Sequence, residues 1–357
     1  MSKERVFNFN PGPAVLPLEV LEEFKESFMN FGGMSIFEIS HRGKEFQAMM
    51  DETIALFREL MGIPNDYHVL FLGGGASLQF SMIPMNIMDK SADYVLTGSW
   101  SKKAYAEAKI LGAPKVIFSS EETKFSRAPR PEEIRPNSDA SYVHITSNNT
   151  IFGSQYQAFP NTGNIPLVAD MSSDILSRAF DVSKFGIVYA GAQKNLGPAG
   201  VTLVIIRDDL VKRSYRNVPV ILRYSTHAEE KSLYNTPPVS AIYLTNLVLW
   251  WVKRQGGVAA IEKKNREKAA LIYEVLDKSS FYKSHIAEDC RSMMNVVFTL
   301  PSDELTDKFV ARAKEQGMIG LKGHRSVGGI RASIYNAFPR EGVEKLVQFM
   351  REFEGAK

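Results

Sequence analysis

Residues 166–207 read PLVADMSSDILSRAFDVSKFGIVYAGAQKNLGPAGVTLVIIR. Three apolar runs in this stretch, PLVAD at 166–170, IVYAG at 187–191 and VTLVIIR at 201–207, are too short for ordinary helices and lack polar–apolar alternation. Such runs suit strands of a sheet covered on both faces. Working outward, HVLFL at 68–72, YVLT at 94–97, KVIF at 115–118 and YVHIT at 142–146 read as further strands, and several of the intervals carry helical spacing. Ahead of them, Leu18 to Phe31 and Glu45 to Met61 have the period of amphipathic helices, the second with Phe46, Met49, Met50, Thr53, Phe57 and Leu60 along one side. Strands separated by helices predict right-handed crossovers and an α/β fold with a mostly parallel, doubly wound sheet, whose ligands bind at the carboxyl ends of the strands. From about Gly257 the texture changes to a charged helix (Val258 to Asp277), a strand (Met293 to Leu300), a helix (Ser302 to Gln316), a strand (Gly329 to Ile334) and a last helix (Arg340 to Phe353). The expected division is a large domain at 16–257 and a smaller α+β domain made of 1–15 and 258–357.

The chain has 357 residues, enough for roughly two domains at about 150 residues each. With 44% hydrophobic and 23% charged residues, it is not a disordered, collagen-like or coiled-coil sequence. Forty-three Lys and Arg against 40 Asp and Glu leave a net charge of +3, too near balance to propose nucleic acid as the main partner and compatible with small acidic substrates. Cys290 is the only cysteine, so no internal disulfide and no cysteine-based zinc site can form, no metal is expected, and a reducing cytoplasmic setting is. The amino end, MSKERVFNFNPGP, has no apolar signal core, and the apolar stretch Val239 to Val252 is interrupted by Ser240, Thr245 and Asn246. Neither export nor a membrane span is expected.

Chemistry-bearing residues gather at the predicted strand ends. Gly73-Gly74-Gly75-Ala76-Ser77 leads into a helical stretch from Leu78 to Met88, which makes either a phosphate site at a helix start or a plain tight turn. It has neither the lysine of a P-loop nor the third glycine of a dinucleotide fingerprint. Lys194 sits among small residues in GAQKNLGPAG, where it reads as a Schiff-base lysine or as a solvated loop lysine. Asp170 stands 24 residues earlier at a strand end, either as partner to a protonated ring nitrogen or as a turn aspartate, and its pairing with Lys194 favours the first. Trp100 can stack on a heteroaromatic ring or fill core, and Thr150 can reach the same ligand or end its strand. Asn235 and Thr236 precede Pro237 and a helix as ligand contacts or caps. Three basic clusters, His41-Arg42, His324-Arg325 and Arg331, would suit a substrate with an acidic group at each end, unless they are solvated or structurally paired.

Read together, FNFNPGPAVLP (7–17), ISHRGKEF (39–46), GGGASLQF (73–80), TGSWSKKA (97–104), VADMSSD (168–174), YAGAQKNLGPAGVT (189–202), YNTPP (234–238) and KGHRSVGGIRASIYNA (322–337) resemble the class V aminotransferase group of fold-type I pyridoxal-phosphate enzymes, over nearly the whole chain. The resemblance implies that Lys194 carries pyridoxal 5'-phosphate and moves the substrate proton, that Asp170 pairs with the ring nitrogen, and that Trp100 stacks on the ring while Thr150 contacts its edge. It implies that Ala76, Ser77 and Gln193 hold the phosphate, joined by Asn235 and Thr236 from the other subunit of a homodimer. Arg331 is implied to clamp the substrate α-carboxylate, with His324, Arg325 and, across the dimer, His41 and Arg42 around its distal anion. Some members carry an arginine where this sequence has Ser77, so the remaining basic residues are expected to hold that anion.

The implied reaction is reversible transamination between L-glutamate and 3-phosphohydroxypyruvate, giving 2-oxoglutarate and O-phospho-L-serine, a step of serine biosynthesis. Action on the related 3-hydroxy-2-oxo-4-phosphooxybutanoate, a step of pyridoxine biosynthesis, is implied as well. The alternatives are another class V enzyme, acting on a small amino acid or as a cysteine desulfurase through Cys290, and a non-catalytic phosphate-binding protein.

Overall fold

The computed structural model describes residues 5–213 and 215–356, so residues 1–4 and 357 of the expected small domain lie outside the described residues. In chain order the elements are β1 (Phe7–Asn8), α1 (Leu18–Met29), α2 (Lys44–Met61), β2 (Tyr67–Leu72), α3 (Gly75–Ile87), β3 (Asp93–Leu96), α4 (Ser99–Leu111), β4 (Lys115–Ser119), β5 (Val143–Thr146), β6 (Leu167–Asp170), β7 (Ile187–Gly191) and β8 (Thr202–Arg207). There follow α5 (Asp208–Val211), α6 (Tyr224–Glu229), α7 (Val239–Arg254), α8 (Gly257–Lys278), β9 (Asn295–Phe298), α9 (Asp303–Glu315), β10 (Met318–Ile319), β11 (Ile330–Ser333) and α10 (Arg340–Gly355).

Seven strands form one sheet in the order β2-β8-β7-β6-β5-β3-β4. Only β8 runs against its neighbours, so the sheet is mostly parallel. Along β8 the side chains divide by period two: Leu203 and Ile205 join a core beneath α2 and α7, while Val204 and Ile206 join one beneath α3 and α4. Apolar residues on both faces account for the missing alternation in the sequence. The apolar helix α7 is one of these covers, with Ile242, Leu249 and Val252 wholly buried, and no helix among the described residues is long and apolar enough to cross a membrane.

A separate core gathers α8, α9 and α10 around the antiparallel pair β9–β11, and Phe9 from the amino-terminal arm is buried in it. The arm joins by parallel pairing of β1 with β10. Five helices, α1, α2, α8, α9 and α10, match the sequence pattern within two residues at both ends, but α3 starts at Gly75, three residues before the expected Leu78. The cause is Gly74, which adopts φ +83°, and a Cβ there would stand 2.4 Å from Leu78 Cδ2. Only glycine accepts this turn at low cost, so the helix begins inside the glycine run and Ala76 and Ser77 fall in its first turn.

Candidate functional site

Parallel register places the site. Thr146 pairs with Asp170, and Asp170 with Tyr189, so β5 and β6 finish level and β7 runs two residues further, to Gly191. The segments leaving those ends bring Thr150, Asp170 and Lys194 together, and α3 and α4 add their amino ends. A cavity of about 130 Å³ is lined by Ala76, Ser77, Trp100, Thr150, Asp170, Gln193 and Lys194, together with Asn148, Ser172 and Ser173. A larger cavity of about 870 Å³ lies along the arm between Arg5 and Arg340 and contains none of these.

Lys194 occupies a loop closed on itself, since the amides of Leu196 and Gly197 both donate to the Ala192 carbonyl. Its Nζ donates to Thr150 Oγ1 at 2.7 Å and lies 5.8 Å from the centre of the Trp100 ring. Burial pulls Lys194 down to about 8; Asp170 and Asp174 oppose this, and the charge of Arg331 assists it. Asp170 is buried, and burial raises it above the usual carboxylate range against the bonds from Ser172 and the charge of Lys194. Both bonds it accepts, from Ser172 N at 3.0 Å and Ser172 Oγ at 2.6 Å, fall on Oδ1.

Arg331 projects from β11 and is 7% exposed, with Nη1 donating to the Thr150 carbonyl at 3.3 Å and Nε buried without a partner. Among the described residues no carboxylate forms an ion pair with it. A buried guanidinium without a carboxylate is a receptor for one. His324 lies on the partly exposed loop before β11, where burial lowers it and the charges of Arg331, Arg325 and Lys103 act in the same direction. Val327 of this loop packs on the Phe125, Ile151 and Phe152 cluster that also touches Trp100.

The remaining predicted residues are not in the cavity of their own chain. Asn235 and Thr236 are exposed, beside a separate pocket that includes Gly73 and Leu78. His41 and Arg42 lie between α1 and α2, Arg42 exposed and His41 half-buried with Nε2 unpartnered. Cys290 is buried, and burial pushes its thiol up, the opposite of an activated sulfur.

Several contributors escaped the sequence reading. Ser172 orients Asp170, and its place two residues after a strand-end aspartate was the available signal. Lys103 lies 4.6 Å over the Trp100 ring, three residues along the same helix. The arm reaches the site from far away in sequence: Ala14 N donates to the Gln193 carbonyl at 2.8 Å, and Tyr335 Oη donates to the Pro11 carbonyl at 2.7 Å.

A flat, phosphorylated aldehyde fits this donor set. Trp100 offers an aromatic face, Asp170 has its internal bonds confined to one oxygen, and the first turn of α3 has no side-chain cap over its amides. Lys194 supplies an amine whose charge is disfavoured.

The family model described as Aminotransferase class-V matches residues 6–346. The chain belongs to the class V aminotransferases and is a pyridoxal-phosphate-dependent transferase. Within that family it is similar to the curated phosphoserine aminotransferases of Bacillus cereus (strain ATCC 10987 / NRS 248) and Bacillus subtilis (strain 168), each 56% identical, with 98% of this chain and 99% of each relative covered. A solved phosphoserine aminotransferase from Bacillus circulans subsp. alkalophilus matches with a TM-score of 0.97 at 52% identity, covering 99% of both chains. The pyridoxal-phosphate-bound phosphoserine aminotransferase from Trichomonas vaginalis matches with a TM-score of 0.92 at 38% identity, covering 97% of this chain and 100% of that one.

Proposed function

We propose that this chain interconverts L-glutamate plus 3-phosphohydroxypyruvate with 2-oxoglutarate plus O-phospho-L-serine. The observation that carries this reading is the buried Arg331 guanidinium, which donates to the Thr150 carbonyl while Thr150 Oγ1 holds Lys194, and which has no carboxylate partner among the described residues; the charges of Arg325 and Lys103 act near it on His324. A site so charged suits a substrate bearing an α-carboxylate and a second, distal anion. The 50–56% identity to phosphoserine aminotransferases supports the same substrate.

Bound pyridoxal 5'-phosphate supplies a carbonyl that takes up the amino group and a conjugated ring that receives the electron pair of the substrate Cα–H bond. Lys194 would hold it, with Asp170 at the ring nitrogen, Trp100 against the ring face, Thr150 at its edge, and Ala76, Ser77 and Gln193 at the phosphate. Asp170, whose internal bonds leave Oδ2 free, would accept from that nitrogen and so hold a proton on it. Lys194 Nζ, whose charge burial disfavours, would take the proton from Cα and return it at the other end of the transfer. Arg331 clamps the α-carboxylate and so aims the Cα–H bond at Nζ. His324 and Arg325, with His41 and Arg42 of a second copy, hold the distal phosphate. Asn235 and Thr236, exposed on this chain, extend to the cofactor phosphate of that second copy, so the working unit is a homodimer. The large domain is residues 16–257, the small domain is 1–15 with 258–357, and the setting is the cytoplasm. The same pocket takes the one-carbon-longer 3-hydroxy-2-oxo-4-phosphooxybutanoate.

The test is the visible spectrum of the purified protein before and after O-phospho-L-serine, with L-serine as control. Loss of the cofactor's absorbance band with phosphoserine, and its return with 2-oxoglutarate, is expected. A band that responds to L-glutamate but not to phosphoserine would discard the substrate and retain the class.

A further inference from the structure

Arg331 and Lys194 belong to different layers of the molecule, one on β11 and the other on the loop after β7, and their separation has to be held by something. The segment following β11 is gripped from below by α8. Lys268 is 4% exposed, and its Nζ donates to the carbonyls of Tyr335 at 2.7 Å, Ile334 and Phe338 at 3.1 Å, and Asn336 at 3.5 Å. Among the described residues no carboxylate is paired with this ammonium; its three protons are shared by four main-chain oxygens. One turn earlier on the same helix, Asn265 Nδ2 donates to Asn336 Oδ1 at 2.8 Å and to the Ser177 carbonyl at 3.1 Å.

Asn336 then passes the grip to the large sheet. Its main-chain N–H donates to Asn195 Oδ1 at 3.0 Å, immediately beside Lys194, and its Nδ2 donates to the Leu176 carbonyl at 3.1 Å. A continuous set of buried hydrogen bonds therefore runs from α8, through the chain that leaves the Arg331 strand, to the residue next to Lys194. Because carbonyls cluster around one cation, the segment at 334–338 cannot shift without stranding several buried polar groups at once.

We infer that Lys268, assisted by Asn265, is a positioning residue that sets the distance between the Arg331 guanidinium and the Lys194 amine. The inference rests on the reading of Arg331 as the α-carboxylate clamp. Neither residue lines the cavity that contains Lys194; Asn265 acts through Asn336 and Lys268 through the main chain of 334–338. Loosening the grip moves Arg331 relative to a cofactor pocket built from the large sheet, so substrate affinity falls while the cofactor's own surroundings stay intact.

The experiment is a titration of the visible band of the holoenzyme with L-glutamate and, separately, with O-phospho-L-serine, in the native protein, Lys268→Met and Asn265→Ala. The half-saturating concentrations of both amino acids should rise together, by about tenfold or more in Lys268→Met and severalfold in Asn265→Ala, with band position and cofactor affinity unchanged. A merely structural role would lower the melting temperature without separating substrate affinity from cofactor affinity. Folded variants with native half-saturation, or with cofactor affinity weakened as much as substrate affinity, would overturn the inference. If Lys268→Met does not fold, Asn265→Ala, which removes no charge, decides the matter. A native enzyme that answers to glutamate alone refutes the phosphoserine reading and leaves this test readable with glutamate.

Discussion

Thr150 serves Lys194 with its side chain and Arg331 with its main chain. Its Oγ1 accepts from Lys194 Nζ at 2.7 Å, and its carbonyl accepts from Arg331 Nη1 at 3.3 Å. Removing the hydroxyl therefore separates the two functions. Thr150→Val should lower turnover about tenfold or more, the equivalent of one hydrogen bond to a charged group, while Thr150→Ser stays within a fewfold of native. Steady-state rates beside melting temperatures check this, and equal losses in both variants would contradict it.

The depressed Lys194 predicts a pH dependence with a definite sign. The unfolded lysine keeps its proton to about pH 10.4, whereas the folded one releases it near 8. Between those values the unfolded chain binds more protons, so the contribution of Lys194 to the stability of the cofactor-free protein rises with pH across that window and is at its lowest below 8. Urea midpoints from pH 7 to 10 should climb less in Lys194→Met than in the native protein. The rate at which pyridoxal phosphate restores the visible band to the native cofactor-free protein should increase through pH 8.

Arg331 and Arg42 should part company in a substrate comparison. Arg331→Gln removes the proposed α-carboxylate clamp and should weaken L-glutamate and O-phospho-L-serine alike, by about 10- to 100-fold, with Arg331→Lys recovering only part because the two-pronged geometry is lost. Arg42→Ala should weaken phosphoserine while leaving the cofactor band in place. Titrating each variant with both amino acids distinguishes the roles, and loss of bound cofactor in Arg42→Ala would show its assignment wrong.

Deeper in the large domain, Asp174 accepts bonds from Ser147 Oγ and from Gln155 Nε2 at 3.1 Å, and lies 3.7 Å from Arg178 Nη2 in a buried pair. Arg178→Met strands that carboxylate and should destabilise the fold by about 3–5 kcal/mol. A urea denaturation series measures it. A loss under about 1 kcal/mol would mean that the hydroxyl and amide donors suffice on their own.

Most of the sheet was legible because its inner strands are apolar runs closed by turns, such as PLVAD and VTLVIIR, and burial on two faces demands that composition, while the edge strand β4 is largely exposed. Lys194 and Asp170 were legible because both stand where parallel strands end, and strand ends are where such sheets bind ligands. Ser77 was visible as a residue of a glycine turn, but its position in the first turn of α3 depended on the left-handed Gly74. Lys268 gave no signal at all: in EKKNREKAALIY it is one lysine among several on a charged helix.

What the sequence by itself determined was therefore local and periodic: strand and helix identity, the turn chemistry, and the residue types available at each strand end. The tertiary structure alone decided which of these meet. Thr150, Lys194 and Arg331 converge from three separate segments, and the arm at Pro11 and Ala14 closes on Gln193 and Tyr335 from more than 170 residues away. Contacts of that separation follow from strand register and from burial of polar groups against distant partners, neither of which leaves a periodic trace in the chain.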